Sequence, residues 1–428
     1  MFLHAPRLLL IATCAWALLF GTGSAIAAES AESDISPLRI SGFGTLGYSW
    51  DDRKDLAAIR DFTQRPADGQ NTGPSWRLDS RLGFQMAYRF SSRVEGVFQA
   101  VARDQITNKL SSAIDLAHVD FQLAPESSLR LGRIGYGPFL MSDHRNLGYA
   151  YPWVRPPREF YSWIPIFAFD GGELVQDFIF DDSRWRFRAQ LGRSSFDIPM
   201  GNDTFDFKAD QLWSLSLSHQ VGAWQLKAGL SGFHSAKEAS PLNQLHGGLE
   251  QIAALNIAGI SDEAASLRQE TSFKDVRIRY YTLGAAYDDG RWLLQGELGY
   301  SSTTNAIAPS SRTGYLALGR RLGDFTPFAM ISASRPDKSA LSPTNNWSAI
   351  GQADFQNTVY RVANSTRQDQ ETLSLGTRWD FNSRAALKMQ WDHSRIHPQG
   401  YSLWFRSPES NLRTTDVNLF SVNLDFVF

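Results

Sequence analysis

Arginines recur in one phase of two stretches of this 428-residue chain. Arg184, Arg186 and Arg188 alternate with Trp185, Phe187 and Ala189, and Arg77, Arg81 and Arg89 are interleaved with Leu78, Leu82 and Phe90. Side chains two apart on an extended backbone point to one side, so each stretch would present a stripe of permanently charged guanidinium groups. The segment Gly135–Gly172 carries Asp143, Glu159 and Asp170 among Arg145, Arg155 and Arg158, with Glu173 just beyond. Opposed charges across a narrow aqueous gap would set up a transverse field that orients dipolar molecules and sorts ions. Taken singly, each arginine reads equally well as a solvated residue. The collection is what suggests a site.

Other constellations carry less. Gly42-Phe-Gly-Thr-Leu-Gly47 has the glycine spacing of a dinucleotide-binding turn, but that turn needs a strand before it and a helix after it. Here the glycines lie inside an alternating strand pattern and read as close-packing positions. His393 and His397 are four apart at a strand end, where that spacing does not converge on a metal. No catalytic group, metal site or cofactor is expected.

The elements that would position the charges are strands. The last eleven residues, Asn418 to Phe428, alternate strictly: Phe420, Val422, Leu424, Phe426 and Phe428 against Ser421, Asn423 and Asp425. A period of two with one apolar and one polar face is a half-buried strand. The same pattern recurs at 39–50, 76–90, 94–103, 115–123, 129–134, 173–180, 184–191, 211–219, 224–232, 277–287, 292–300, 313–322, 325–332, 371–381, 386–391 and 417–428. That makes about sixteen strands, an even number. Tight polar turns, such as Asp181–Ser183, Gly222-Ala223 and Asn382–Arg384, alternate with long links at 51–75, 135–172, 192–210, 233–276, 333–370 and 392–416. Within one link, Leu242, Leu245, Leu249, Ile252 and Leu255 have the spacing of an amphipathic helix.

Composition narrows the class. Residues 1–27 read as an export signal: Arg7, an apolar run from Leu8 to Phe20, and Ala25-Ile-Ala27 as the cleavage site. The only cysteine, Cys14, lies in that run. After residue 28 no apolar segment is long enough for a helical span. Net charge is −2, which gives no bulk attraction to nucleic acid. The chain has 13 Trp, 13 Tyr and 28 Phe, more than one soluble core would use but suited to the interfacial girdles of a membrane barrel.

Lipid decides which face is which. An arginine on the lipid face near the midplane costs about 2–4 kcal/mol, so Arg184, Arg186, Arg188, Arg77, Arg81 and Arg89 must point inward. A barrel of about sixteen strands encloses a lumen too wide for wall side chains to fill. It is open unless a loop narrows it, and the aromatic, Pro-rich 135–172 is too apolar to hang in water.

The terminal Phe428 strand resembles the C-terminal signal by which bacterial outer-membrane barrels are recognised and closed. The whole chain resembles the general Gram-negative porins, and Leu131-Gly132-Arg133 is similar to the porin pattern leading into the third loop. The resemblance implies an all-β transmembrane antiparallel barrel over 28–428 with short periplasmic turns, long extracellular loops and the third long-side loop, 135–172, folded into the lumen. It implies a basic wall row of Arg77, Arg81, Arg89, Arg133, Arg184, Arg186 and Arg188 facing that loop. The porin motif Pro-Glu-Phe-Gly is absent, and the loop is more basic than usual. The expected function is passive diffusion of small hydrophilic solutes and ions through an outer-membrane homotrimer, with a selective anion channel (phosphate or organic acids) as the alternative. Expected partners are outer-membrane lipids, lipopolysaccharide and the barrel-assembly machinery. A barrel enzyme or adhesin is the minor reading. Omptin proteases use acid pairs and a His, but two of the three Asp pairs here, 181–182 and 288–289, fall in tight turns.

Overall fold

The computed structural model describes residues 36–65, 73–107, 109–162, 165–200, 203–235, 237–406 and 413–428. The expected export signal, 1–27, lies outside the described residues. The strands in chain order are β1 (Leu38–Asp51), β2 (Leu56–Ala58), β3 (Arg81–Ser91), β4 (Val94–Arg103), β5 (Ile114–Ala124), β6 (Ser127–Gly135), β7 (Ala168–Phe180), β8 (Ser183–Met200), β9 (Asp203–Val221), β10 (Trp224–Ser235), β11 (Val276–Asp288), β12 (Trp292–Thr303), β13 (Ser311–Arg320), β14 (Phe325–Pro336), β15 (Gln368–Asn382), β16 (Ala385–Tyr401), β17 (Trp404–Arg406) and β18 (Thr415–Val427). Sixteen of them close into one antiparallel transmembrane barrel. The short β2 and β17 pair with each other outside it.

Each expected strand coincides with a wall strand, with corrections at the long-link end. β3 begins at Arg81, not at Trp76. β8 and β9 run for 18 and 19 residues, so most of 192–210 is a projecting hairpin and not a loop. The period of two persists there: Phe196 pairs with Phe207 and Ile198 with Phe205, on the inner face. β16 likewise extends to Tyr401, and β7 starts at Ala168, which puts Asp170 and Glu173 in a strand.

The outer face is the one lipid requires. Leu46, Leu82, Leu191, Leu283, Leu298 and Ile331 are all exposed outward. Aromatic girdles bound this belt: Tyr88, Phe90, Trp224, Tyr287, Phe325 and Trp379 at the short-turn end, and Tyr48, Trp50, Trp76 and Phe420 at the other. The barrel closes where β18 pairs with β1 from Phe43↔Val427 to Asp51↔Leu419, leaving no free edge. Here Gly42 and Gly44 find their use. A Cβ at Gly42 would stand 2.2 Å from Phe428 Cζ, and one at Gly44 would stand 2.3 Å from Phe426 Cζ. The missing side chains form the seat for the two terminal rings.

At the long-link end a cap covers part of the barrel. Its helices are Asn243–Ala253, Ile260–Glu270 and Ala353–Ala363. The expected amphipathic helix is there, with Leu245, Leu249 and Ile252 buried, though Leu255 stays exposed. The cap is centred on Glu263, whose carboxylate accepts from Trp347 Nε1 at 2.9 Å, Thr344 N at 2.8 Å, Asn345 N and the Tyr360 hydroxyl. Burial pushes the Glu263 carboxyl up, but these donors outweigh it and hold the group below the usual range.

Filling the ring seat should loosen the closure: Gly44→Val should destabilise the barrel by about 1–3 kcal/mol, read as a lower temperature for loss of the folded band on unboiled gels. The carboxylate of Glu263 is depressed, so its contribution is full above its unfolded value of about 4.3 and is lost as pH falls through the folded one. Trp fluorescence of the cap should therefore change on acidification, and Glu263→Gln should remove that pH dependence.

Candidate functional site

Residues 136–162 and 165–167 leave the end of β6 and turn into the lumen because their side chains are largely apolar. Phe139, Met141, Trp153, Phe160 and Ile166 are almost completely buried, packed against Phe233, Tyr280, Tyr315 and Phe328 of the wall. Phe139 meets Phe160 edge-on at 5.9 Å, and Phe160 meets Tyr315 at 5.6 Å. The lumen is therefore not charged all round. Its β9–β14 side is largely aromatic and aliphatic and serves as the bed for this plug.

Polar ties hold the plug to the rest of the wall. The Arg155 guanidinium donates from Nε to Asp79 Oδ1 at 2.9 Å, from Nη2 to Asp79 Oδ2 at 2.6 Å and from Nη1 to Asp392 Oδ2 at 2.9 Å. It also reaches Ser421, so one side chain links the segment before β3 to β16 and β18. Lys388, itself paired with Asp425 at 2.9 Å, donates to the carbonyls of Gly148 and Trp153. Glu159 accepts from Ser332 at 2.7 Å and from Gln370 and Thr372. Glu297 accepts from the Leu140 amide at 2.8 Å and from the Tyr161 hydroxyl. In a low-dielectric interior such groups are tolerable only when fully paired.

The expected opposition of wall bases and loop acids appears at one contact. Arg188 Nη1 binds Asp143 Oδ2 of the plug at 2.9 Å, and its Nη2 binds Glu173 of β7 at 2.8 Å. Around Arg155 the polarity is the reverse: a loop base faces wall acids. Arg184 and Arg186 point inward as expected and share Asp177. Arg81 is inward and buried, donating to Tyr151 of the plug at 3.0 Å. Arg89 lies near the short-turn end beside Glu95. Arg145 stacks on Phe167 at 3.5 Å, and Arg158 stacks on Trp404 at 4.5 Å.

Three expected positions need correction. Arg77 lies in the link before β3 and binds Asp104 there, because the strand starts four residues later. Arg133 shares the outward phase of Leu129 and Leu131 and forms a two-pronged pair with Asp170 at 2.7 and 2.9 Å. Asp170 is thus a strand residue on the outer rim and not part of the loop. A charge near the interface costs little there, about 0–1 kcal/mol.

Among the described residues the plug leaves no continuous water-lined face at its own level. Every wall strand contributes a buried inward side chain, among them Thr45, Arg81, Val101, Glu173, Ser214, Thr282, Tyr315, Thr372, Lys388 and Asn423. The third long-side loop does more than narrow the lumen. It fills that section.

Several residues that matter most were not legible as candidates. Lys388, Asp425, Glu297 and Lys227 are single charges in the polar phase of ordinary strands, and that phase was their only signal. Asp79 and Asp392 had none, since their role depends on where Arg155 arrives.

No protein-family model matches the chain, and no curated protein matches it. Solved structures do match in shape. Salmonella typhi OmpF, in a complex with daunomycin, is 11% identical, with 91% of this chain and 97% of that chain covered at a TM-score of 0.51. The anion-selective porin from Comamonas acidovorans is 13% identical, covering 91% and 99% at 0.50. The outer membrane channel DcaP of Acinetobacter baumannii is 9% identical, covering 94% and 100% at 0.51. The likeness is one of fold: the chain has the porin architecture.

Removing Arg155 would leave Asp79 and Asp392 buried without a counter-charge. Arg155→Ala should cost about 3–5 kcal/mol, measured by denaturant unfolding, and should expose the plug to protease before the barrel wall is lost.

Proposed function

We propose that this chain is an outer-membrane channel for passive diffusion of small hydrophilic solutes and ions, with its third long loop closing the lumen. The observation that carries the reading is the combination of a closed sixteen-stranded wall with charged inward side chains and a loop that occupies the lumen. A barrel that wide encloses more space than its own side chains fill. Here a connecting segment supplies the filling, and a connecting segment can move. Export through the signal at 1–27, closure by assembly machinery that recognises the Phe428 strand, contact with outer-membrane lipid and lipopolysaccharide, and a homotrimeric state belong to the same reading.

Selectivity for anions is the second reading. It is favoured by arginines that remain partly exposed toward the short-turn, periplasmic mouth: Arg39, Arg89, Arg184 and Arg186. Glu95 and Asp177 face them, so the local excess of positive charge is modest.

Refolded protein in a planar bilayer should give discrete current steps, and a barrel that stays silent at all voltages would overturn the channel reading. Replacing Arg184 and Arg186 together by glutamine leaves Asp177 unopposed at the mouth, so the reversal potential in a salt gradient should move toward cations. No movement would remove these arginines from the conducting path.

A further inference from the structure

The plug is not held equally on all sides. Its hydrogen bonds reach eight strands from β8 to β18, namely β8, β10, β11, β12, β14, β15, β16 and β18, through Arg188, Lys227, Thr282, Glu297 and their neighbours, but on the other side only β3, through Arg81, and β5, through Asp115. Its aromatic bed covers β9 and β13. Toward β3–β6 the wall is different. Gln85, Gln99, His118, Asp120 and Arg130 point inward at mid-strand and are all half-exposed. On β13–β16 Thr326 stands one position from its strand end and is still buried, as are Ala317 and Lys388. Water therefore climbs one face of the lumen from the short-turn end and stops beneath Val101 and Asp115, which are buried.

What stops it is small. Arg103 Nη1 binds Asp115 Oδ2 at 2.8 Å, and Asn146 Nδ2 of the plug donates to the same oxygen at 2.6 Å. Phe167 lies between two guanidinium groups, 4.1 Å from Arg103 and 3.5 Å from Arg145. Beyond this point come Asp104, Gln64 and Arg77 of the links at the long-link end.

We propose that solutes pass along the β3–β6 face and that the plug opens there, at a gate formed by Arg103 and Asp115 of the wall with Asn146 and Phe167 of the plug. The inference rests on the channel reading above and adds the route and the moving contact. When Asn146 and Phe167 withdraw, the route runs between Arg103 and Arg145 with Asp115 as the facing acid; the adjacent Arg60–Asp61 pair adds no net charge. Small anions are the solutes such a gate passes best. The cation–π stacking of both arginines on Phe167 is what the closed state gains and the open state gives up.

Single cysteines placed in a Cys14→Ser background test the route, with a negatively charged methanethiosulfonate as the probe. Labelling of the folded barrel is followed by mass and by current. Gln99→Cys should label about tenfold or more faster than Ser374→Cys of β15, which is buried, since a buried thiol reacts only in locally opened states. Labelling at Gln99→Cys should also cut the single-channel current. Equal labelling rates, or a labelled Gln99→Cys channel that conducts undiminished, would overturn the route. For the gate, Asn146→Ala should raise open probability about tenfold or more, the equivalent of one hydrogen bond to a charged group. Gln390→Ala, which removes a tie on the anchored side, should not. The reverse pattern would overturn the gate. Silence of every variant overturns the channel reading instead, and the labelling rates then still decide whether the face is open.

Discussion

Lipid accepts neither unpaired backbone groups nor charges near its midplane, and the rest of this structure depends on that constraint. Backbone pairing is met by closing the sheet, with β18 returning to β1. Charge is met by turning one phase of each strand inward. The inward phase then carries Arg81, Glu173, Arg188, Lys227, Glu297, Lys388 and Asp425, and the interior has to satisfy each of them. Water would do this in an open lumen. Here a segment of the chain does much of it.

The plug succeeds because its two sides match two different walls. Aromatic side chains meet the β9–β14 face, where apolar residues already occupy the inward phase. Backbone carbonyls and a few charges meet the remainder. Arg155 is the densest of these contacts, since a single guanidinium satisfies two buried carboxylates and a hydroxyl. A planar, five-donor group is suited to that task in a way an ammonium is not. Buried ion pairs of this kind add little net stability compared with apolar packing. What they add here is register, because the Arg155, Arg188 and Lys388 contacts form together in one seating of the plug.

The architecture was legible in the sequence because lipid imposes a period of two on every wall strand. Each expected strand found its counterpart, and the inward direction of Arg184, Arg186 and Arg188 followed from the cost of the alternative. The glycines of Gly42–Gly47 were read as packing positions, and two of them seat the terminal rings. Errors gathered at the long-link ends. Alternation there serves core packing and not lipid, so the β8–β9 hairpin looked like a loop. At Arg133 the phase was misjudged, since the residue follows Leu131 outward and only its rim position makes that affordable.

Within the loop, the sequence carried charge types but not partners. It presented Asp143 and Glu159 as acids facing wall arginines. The fold gives Asp143 such a partner and gives Glu159 three neutral donors. The gate residues Arg103, Asp115, Asn146 and Phe167 come from three separate stretches with no shared pattern. By itself, then, the sequence determined the closed wall, its polarity and the segment that enters it, because those obey a local period set by the solvent. Only the tertiary structure decided that the lumen is filled, which charges meet and where the filling is thinnest. Those depend on distances between residues far apart in the chain, which no local period encodes.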